Sequence, residues 1–293
     1  MRILLDSRDL INVIQNGQGT TVPELDAYLR AGNHQLVLCF STVRELCGPI
    51  GAGKPFSEVR PLLQSLETLP VLYLREVSIL GIEIEAAVNA FVIGSEYHDA
   101  NPYVKGWYDT LMAEPGERRP RKNNVVGPRL DVLVSLINLT RPDIFAPPEQ
   151  HLARLCTMIA DGRVKLQAGQ APAKQHFVSS LKRHAATYHV ALPQGREDEF
   201  AKWVYSNANR CPGARLQHEI FRSITQNYGD RFQVGDFTDL ALTAAIPYVD
   251  CATLDTRMRD YCARASKKML KFGATNNYAA RVYGNVVDII QQV

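Results

Sequence analysis

Short apolar runs alternate with amphipathic stretches at both ends of the chain. The runs MRILL, QLVLCF and VLYLR predict buried strands, and the segments between them carry apolar residues at helical spacing. The same alternation returns near the carboxyl terminus, where the helical pattern FTDLALTAAI precedes the strand pattern YVDCATL and then the helical pattern TRMRDYCARASKKMLKF. Such alternation predicts an α/β fold, in which a parallel sheet is covered by helices.

The middle of the chain follows a different pattern. From about residue 96 it consists of long polar and helical stretches with loop signals such as AEPGERRPRKNNVVGP, and strand patterns are scarce until FQVGD. We therefore expect a core formed by residues 1–95 plus 236–293, interrupted by a mainly helical insertion over 96–235.

Acidic residues stand where predicted strands end. Asp6 directly follows the first strand, and Asp255 closes YVDCATL. Ligands of open parallel sheets bind at the carboxyl ends of the strands. Carboxylates gathered there repel one another unless a cation, a substrate or bound water offsets their charge. The two acids therefore predict one site assembled from distant parts of the chain, with Ser41 or Thr253 as hydrogen-bonding support.

Two acidic pairs near the carboxyl terminus allow more than one assignment. In the helix pattern, Asp236 suits the N-cap, whereas Asp239 projects from the first turn and is the favoured ligand. In the strand pattern, Asp255 is favoured, whereas Asp250 is expected to anchor the start of the strand. Asp236 and Asp250 remain secondary candidates for metal binding.

Glu45 also has two interpretations. Thr42-Val43-Arg44-Glu45 matches the capping-box pattern T-x-x-E, which satisfies a helix N-terminus. The residue nevertheless lies just beyond the carboxyl end of the predicted strand QLVLCF, where a parallel sheet holds its ligands. Taken alone the phrase favours the cap, whereas its position beyond the strand favours a ligand.

Composition and charge narrow the class of protein. The chain is 46% apolar with a net charge of +3, and its six cysteines are scattered without paired spacing. With neither a signal-peptide pattern nor a membrane-length apolar run, we expect a cytoplasmic protein. Residues 96–235 hold 19 basic and 14 acidic residues, a net charge of +5, and the flanking parts carry −2. This distribution suits a polyanionic substrate, although a solvated surface would explain it equally well.

The combined motifs resemble those of the PIN-domain nucleases. The resemblance covers roughly residues 1–95 and 236–293 and rests on four short phrases, each containing an acid: ILLD with Asp6, STVREL with Glu45, DLALTAAI with Asp239, and TLD with Asp255. The insertion is far longer than in the compact toxins of this family. The two acidic pairs near the carboxyl terminus leave the alignment of the last two acids open.

The resemblance implies both a fold and an activity. The fold would be a three-layer, PIN-like arrangement of a parallel sheet between helices. The four acids would bind Mg²⁺ or Mn²⁺, and the protein would hydrolyse phosphodiester bonds, with RNA favoured over DNA as the substrate. An antitoxin or another regulatory protein would be a further partner. Carboxylate oxygens suit such hard cations, and no histidine or serine nucleophile is needed.

Two other functions fit parts of the same sequence. A catalytically inactive PIN-like module could bind nucleic acid or protein through the insertion. A phosphate-handling enzyme of another α/β family would need a phosphate loop. The stretch GPIGAGKP lacks the required Ser or Thr and follows a helix pattern instead of a strand. The first alternative therefore competes more strongly with the nuclease.

Overall fold

The computed structural model describes residues 1–15, 19–98, 100–104, 106, 129–140, 149–168, 173–232 and 234–292. In these ranges the protein has an α/β fold with one mixed, mostly parallel sheet, as the alternating pattern predicts. The strands are β1 (Arg2–Leu4), β2 (Gln35–Cys39), β3 (Val71–Leu74), β4 (Tyr103–Val104), β5 (Cys251–Thr253) and β6 (Val282–Tyr283). The strand order is β4-β3-β2-β1-β5-β6, and β4 runs antiparallel to β3. The expectation of a purely parallel sheet is corrected at this edge.

Most of the remaining described residues are helical. The α-helices are α1 (Ser7–Ile14), α2 (Val22–Ala31), α3 (Phe40–Leu46), α4 (Gly48–Gly51), α5 (Arg60–Leu66), α6 (Ile79–Ile93), α7 (Leu130–Thr140), α8 (Glu149–Gln167), α9 (Ala173–Thr187), α10 (Glu197–Ser206), α11 (Pro212–Gln226), α12 (Val234–Thr243), α13 (Thr256–Lys271) and α14 (Val286–Gln292). Among the helices of the described ranges, none has the length and apolarity needed to cross a bilayer.

Three boundaries differ from those the sequence pattern predicts. The strand pattern YVDCATL shortens to β5, and the last three residues of FQVGD belong to α12, which begins at Val234. Within the helical spacing that precedes VLYLR, the residues PFSEVRPLLQSLETL divide into a 3₁₀ turn, Phe56–Glu58, and α5. Proline lacks a backbone N–H and is favoured in the first turn of a helix, so Pro61 fits the start of α5 and not its interior.

Alternate residues of the central strands enter two different apolar cores. Leu4 and Val37 belong to one core, whereas Ile3 and Leu36 belong to the other. Because successive side chains of a strand point to opposite faces, the sheet has an apolar core on each side. Helices α1, α2, α3, α5, α7 and α14 contribute to the core of Ile3, and α6 and α8–α13 to the core of Leu4.

The described part of residues 96–235 is packed into these same cores. In α7, Leu130 and Leu133 are buried on the side of Ile3. On the other side, Glu83 of α6 accepts hydrogen bonds from the backbone N–H groups of Gly213 (2.6 Å) and Ala214 (2.9 Å). These bonds satisfy the N-terminus of α11 with a buried carboxylate, and Tyr248 donates to it as well (2.5 Å). Helix α11 is therefore fixed to α6 by polar as well as apolar contacts.

The order in which the chain adds strands to the sheet reverses once, at β1. From β1 the chain proceeds outward through β2 and β3, whereas β5 and β6 lie on the opposite side of β1. Parallel sheets bind ligands in the crevice at such a reversal, outside the carboxyl ends of the strands. The residues that follow β1 and β5 therefore lie where a ligand is expected to bind.

Candidate active site

Asp6 and Asp255 lie on either side of this crevice. Asp6 is the N-cap of α1, which follows β1, and Asp255 is the N-cap of α13, which follows β5. Asp255 Oδ1 accepts a hydrogen bond of 2.6 Å from the N–H of Met258, and Asp6 Oδ1 a long one of 3.4 Å from that of Arg8. The positive ends of both helix dipoles offset the charge of these carboxylates. The structure therefore brings the two strand-end acids to neighbouring positions.

Thr253 connects the two strand ends. Its Oγ1 accepts a hydrogen bond of 2.8 Å from the backbone N–H of Asp6, and it also hydrogen-bonds the side chain of Asp9. Burial raises the pKa of Asp9, and the bond from Thr253 opposes that rise. Thr253 is thus the supporting hydroxyl at this end of the crevice.

Glu45 joins the site through Ser7, not through a capping box. Helix α3 begins at Phe40, so Thr42 lies inside it, and its N-cap residue is Cys39, whose side chain makes no capping hydrogen bond. The hydroxyl of Ser7 contacts both Glu45 Oε2, through a short hydrogen bond, and Asp6 Oδ1, at 3.1 Å. The capping interpretation is therefore wrong, and Glu45 lies next to Asp6.

Asp239 shows the influence of the other three acids most directly. Burial raises its pKa to about 8, and the charges of Asp6, Asp255 and Glu45 contribute to the rise. Arg8 acts in the opposite direction. A carboxyl group with this pKa is mostly protonated at pH 7 when no cation is bound. The four acids singled out in the sequence are therefore electrostatically coupled.

The secondary candidates lie in different settings. Asp236 is inside α12 and not its N-cap, because the helix begins two residues earlier. It forms a short ion pair with Arg257 of α13, which also binds Asp230 at 3.0 Å. Asp250 precedes β5 and therefore lies at the opposite end of this strand from Asp255. It accepts a hydrogen bond of 2.7 Å from the N–H of Arg2. Asp236 thus joins two helices, and Asp250 anchors the start of two strands.

Sequence reasoning missed two buried acids beside the site. Glu76 comes two residues after β3 and accepts hydrogen bonds from the hydroxyl (2.6 Å) and the N–H (3.0 Å) of Ser41. Burial raises its pKa, and the charge of Glu45 adds to this. The rule of acids at strand ends would have found Glu76 in VLYLRE. The other is Asp9, whose spacing from Asp6 is the same as that of Asp239 from Asp236.

The donor chemistry fits a divalent cation, although the side chains are not arranged as a complete metal site. Among the described residues, no three His, Cys, Asp or Glu side chains form a group that could hold a metal ion. The carboxylates instead bind helix N-termini and Ser7. The coupling that keeps Asp239 protonated is nevertheless the kind that a bound cation relieves, since it replaces repulsion among carboxylates by attraction. Hard oxygen donors of this type suit Mg²⁺ and Mn²⁺.

Comparison with known proteins adds no relative. No family model, no curated protein and no solved structure matches the chain. Any assignment of function must therefore come from the residues and their arrangement.

Proposed function

We propose that the protein is a divalent-metal-dependent nuclease with a PIN-like, three-layer fold that hydrolyses phosphodiester bonds, with RNA as its substrate. Asp6, Glu45, Asp239 and Asp255 would hold Mg²⁺ or Mn²⁺. The observation that carries this proposal is the convergence of four acids from both ends of the chain at the crevice, where Ser7 joins Glu45 to Asp6 and the other three acids help burial to raise the pKa of Asp239 to about 8. Helix capping accounts for Asp6 and Asp255 separately, but it gives no reason to place Glu45 and Asp239 beside them, where the carboxylates repel one another.

The surrounding residues would keep this site ready for a cation. The α-helix N-termini hold Asp6 and Asp255, and Ser7 holds Glu45 beside Asp6. Asp239 would lose its proton when a cation binds. A bound cation would lower the pKa of a water molecule and stabilise charge on the phosphate.

Basic residues at the site and at the far end of α13 offer contacts for a nucleic-acid backbone. Arg8 is half exposed, lies 3.9 Å from Asp6 and hydrogen-bonds the carbonyl of Gly284. Helix α13 begins beside Asp255, and its far end carries four cations that line a groove shared with α11: Arg264, Lys267, Lys268 and Lys271. Cations of this kind neutralise phosphates without reading sequence. They support a polyanionic substrate of either nucleic-acid type, and the preference for RNA rests on the PIN-domain resemblance.

A second candidate function is a catalytically inactive module that binds nucleic acid or protein. It is favoured by the lack, within the described ranges, of three side chains already arranged around a metal position. In this case the acids would serve as helix caps, as Asp255 does. A partner protein such as an antitoxin would then be the ligand of interest.

The deciding experiment is cleavage of labelled single-stranded RNA and DNA with Mn²⁺ or Mg²⁺. We expect the wild type to cleave RNA and Asp6→Asn to lose cleavage while keeping the native circular dichroism spectrum. Asp260→Asn is the matched control, since Asp260 is an exposed acid elsewhere on α13. A wild type that binds RNA but cleaves no substrate with either metal would overturn the nuclease in favour of the binding module.

A further inference from the structure

A cavity of about 390 Å³ lies among helices α8, α9 and α11. It belongs to the helical part of the chain that the proposed nuclease chemistry does not use. The lining residues that matter here are Lys165, Arg183, Arg222, Asp161, His176 and Phe221. A cavity of this size lies within the range of small-molecule binding sites.

Three cations converge on this cavity from three helices. Burial lowers the pKa of His176, and the positive charges of Arg183, Lys165 and Arg222 lower it further, so all three lie near its ring. Arg222 lies 3.7 Å from Glu219, whereas neither Lys165 nor Arg183 forms an ion pair within the described ranges. Like charges repel, so such a group of cations is stabilised by an anion.

The lining also offers a flat ring surface. The rings of His176 and Phe221 are nearly parallel, with 7° between their planes and 6.3 Å between their centroids. Burial and the neighbouring positive charges lower the pKa of His176 and so favour its uncharged ring. Aromatic side chains of this kind stack on nucleobases with little regard to sequence. The cavity therefore combines an anion site with a stacking surface.

We propose that this cavity binds a nucleotide 5′-phosphate, either free or at the end of a strand. The phosphate would contact Lys165 and Arg183, and the base would lie against Phe221. Asp161, the one carboxylate among the lining residues, would accept hydrogen bonds from the ribose hydroxyls. Because Arg222 is already paired with Glu219, the phosphate would face the charges of Lys165 and Arg183, which sum to +2 and match the approximate −2 of a phosphate monoester. This site is independent of the proposed nuclease centre.

Calorimetric titration with AMP tests the proposal. The buffer contains no divalent cation, so that the acidic site plays no part. We expect AMP to bind at least about tenfold more tightly than adenosine or inorganic phosphate, because both charge and stacking contribute. Arg183→Gln and Lys165→Gln should each weaken AMP binding by about tenfold, since each removes a charged contact to the phosphate.

Matched controls separate this site from general charge and from the acidic centre. Lys202→Gln removes one exposed positive charge outside the cavity, and Asp6→Asn alters the acidic centre. Both should bind AMP like the wild type. Comparison with 5′-phosphorylated and 5′-hydroxyl dinucleotides tells the two sources apart: tighter binding of AMP indicates a free nucleotide, and tighter binding of the phosphorylated dinucleotide indicates a strand end. The proposal is overturned if AMP does not bind, if inorganic phosphate binds equally well, or if Arg183→Gln has no effect.

Discussion

The hydroxyl of Thr253 accepts a hydrogen bond of 2.8 Å from the backbone N–H of Asp6, a residue 247 positions earlier in the chain. This contact joins the ends of β1 and β5 at the point where the order of the sheet reverses. It fixes the position from which Asp6 enters the crevice, and Thr253 also hydrogen-bonds Asp9. A single buried hydroxyl thus holds the two acids nearest the amino terminus.

Replacing this hydroxyl should affect both stability and cleavage. Thr253→Val leaves the buried N–H of Asp6 and the side chain of Asp9 without their partner, which we expect to cost about 1–3 kcal/mol in the free energy of unfolding. Chemical denaturation measures this loss, and the RNA-cleavage assay measures the effect on the site. Thr253→Ser keeps the hydroxyl and should stay close to the wild type in both. A loss confined to Thr253→Ser, with Thr253→Val close to the wild type, would show that the methyl group of Thr253, not its hydroxyl, matters.

The raised pKa of Asp239 predicts how stability depends on pH. Its carboxyl titrates near the usual 3.8 when unfolded and at about 8 when folded, so folding is accompanied by proton uptake between these values. The stabilisation is fully present below about pH 4 and is lost as the pH rises through 8. Asp239→Asn does not titrate. In EDTA, the melting temperature of Asp239→Asn minus that of the wild type should therefore increase between pH 5 and pH 8.5; a constant difference would contradict the coupling.

Metal binding should show the opposite dependence on pH. A cation must displace the proton of Asp239, so below pH 8 its apparent affinity should fall by about tenfold for each pH unit. Mn²⁺ at 100 times its dissociation constant stabilises by about 2.7 kcal/mol, which corresponds to a rise of about 5 °C in melting temperature. We expect this rise in the wild type at pH 8, a smaller one at pH 6 with the same Mn²⁺ concentration, and almost none in Asp239→Asn. Equal rises in the wild type and Asp239→Asn would place the ion elsewhere.

Mutations of Asp236 and of Asp239 should have different effects, although the two residues lie only three positions apart. Asp236→Asn weakens the buried ion pair with Arg257 and should lower the free energy of unfolding by about 2 kcal/mol. Because the carboxylate of Asp236 pairs with Arg257 of α13, we expect cleavage to remain close to that of the wild type at 20 °C. Asp239→Asn should abolish cleavage without this loss of stability. The reverse pattern, with cleavage lost only in Asp236→Asn, would exchange the two assignments.

Asp250→Asn provides the corresponding test in the strand pair. The carboxylate accepts a hydrogen bond from the N–H of Arg2 at the amino-terminal ends of β1 and β5, whereas Asp255 follows the carboxyl end of β5. An amide oxygen can still accept this bond, so we expect stability within about 1 kcal/mol of the wild type and unchanged cleavage. Loss of cleavage in this variant, with a native circular dichroism spectrum, would show that Asp250 at the start of β5 takes part in the reaction.

The sequence by itself determined the α/β class, most strands and helices, and the acids that follow strands. These features are local, because apolar period and helix caps depend on neighbouring residues. The same local rule indicated Asp6 and Asp255 correctly as strand-end residues and would also have found Glu76. Local patterns gave the wrong result at Glu45. Its capping-box pattern predicts a helix that begins after Thr42, whereas α3 begins at Phe40.

Only the tertiary structure decided how these acids interact. The pairing of β1 with β5 brings Asp6 beside Asp255. The packing of α12 and α3 brings Asp239 and Glu45 close enough for their charges to interact with these two acids. Burial and mutual repulsion then raise the pKa of Asp239, a property that no spacing in the chain contains. The same limit applies to the cavity of Lys165, Arg183 and Arg222, since three helices separated in sequence supply its charges. Electrostatic coupling depends on distance and burial, which are known only once the chain is folded.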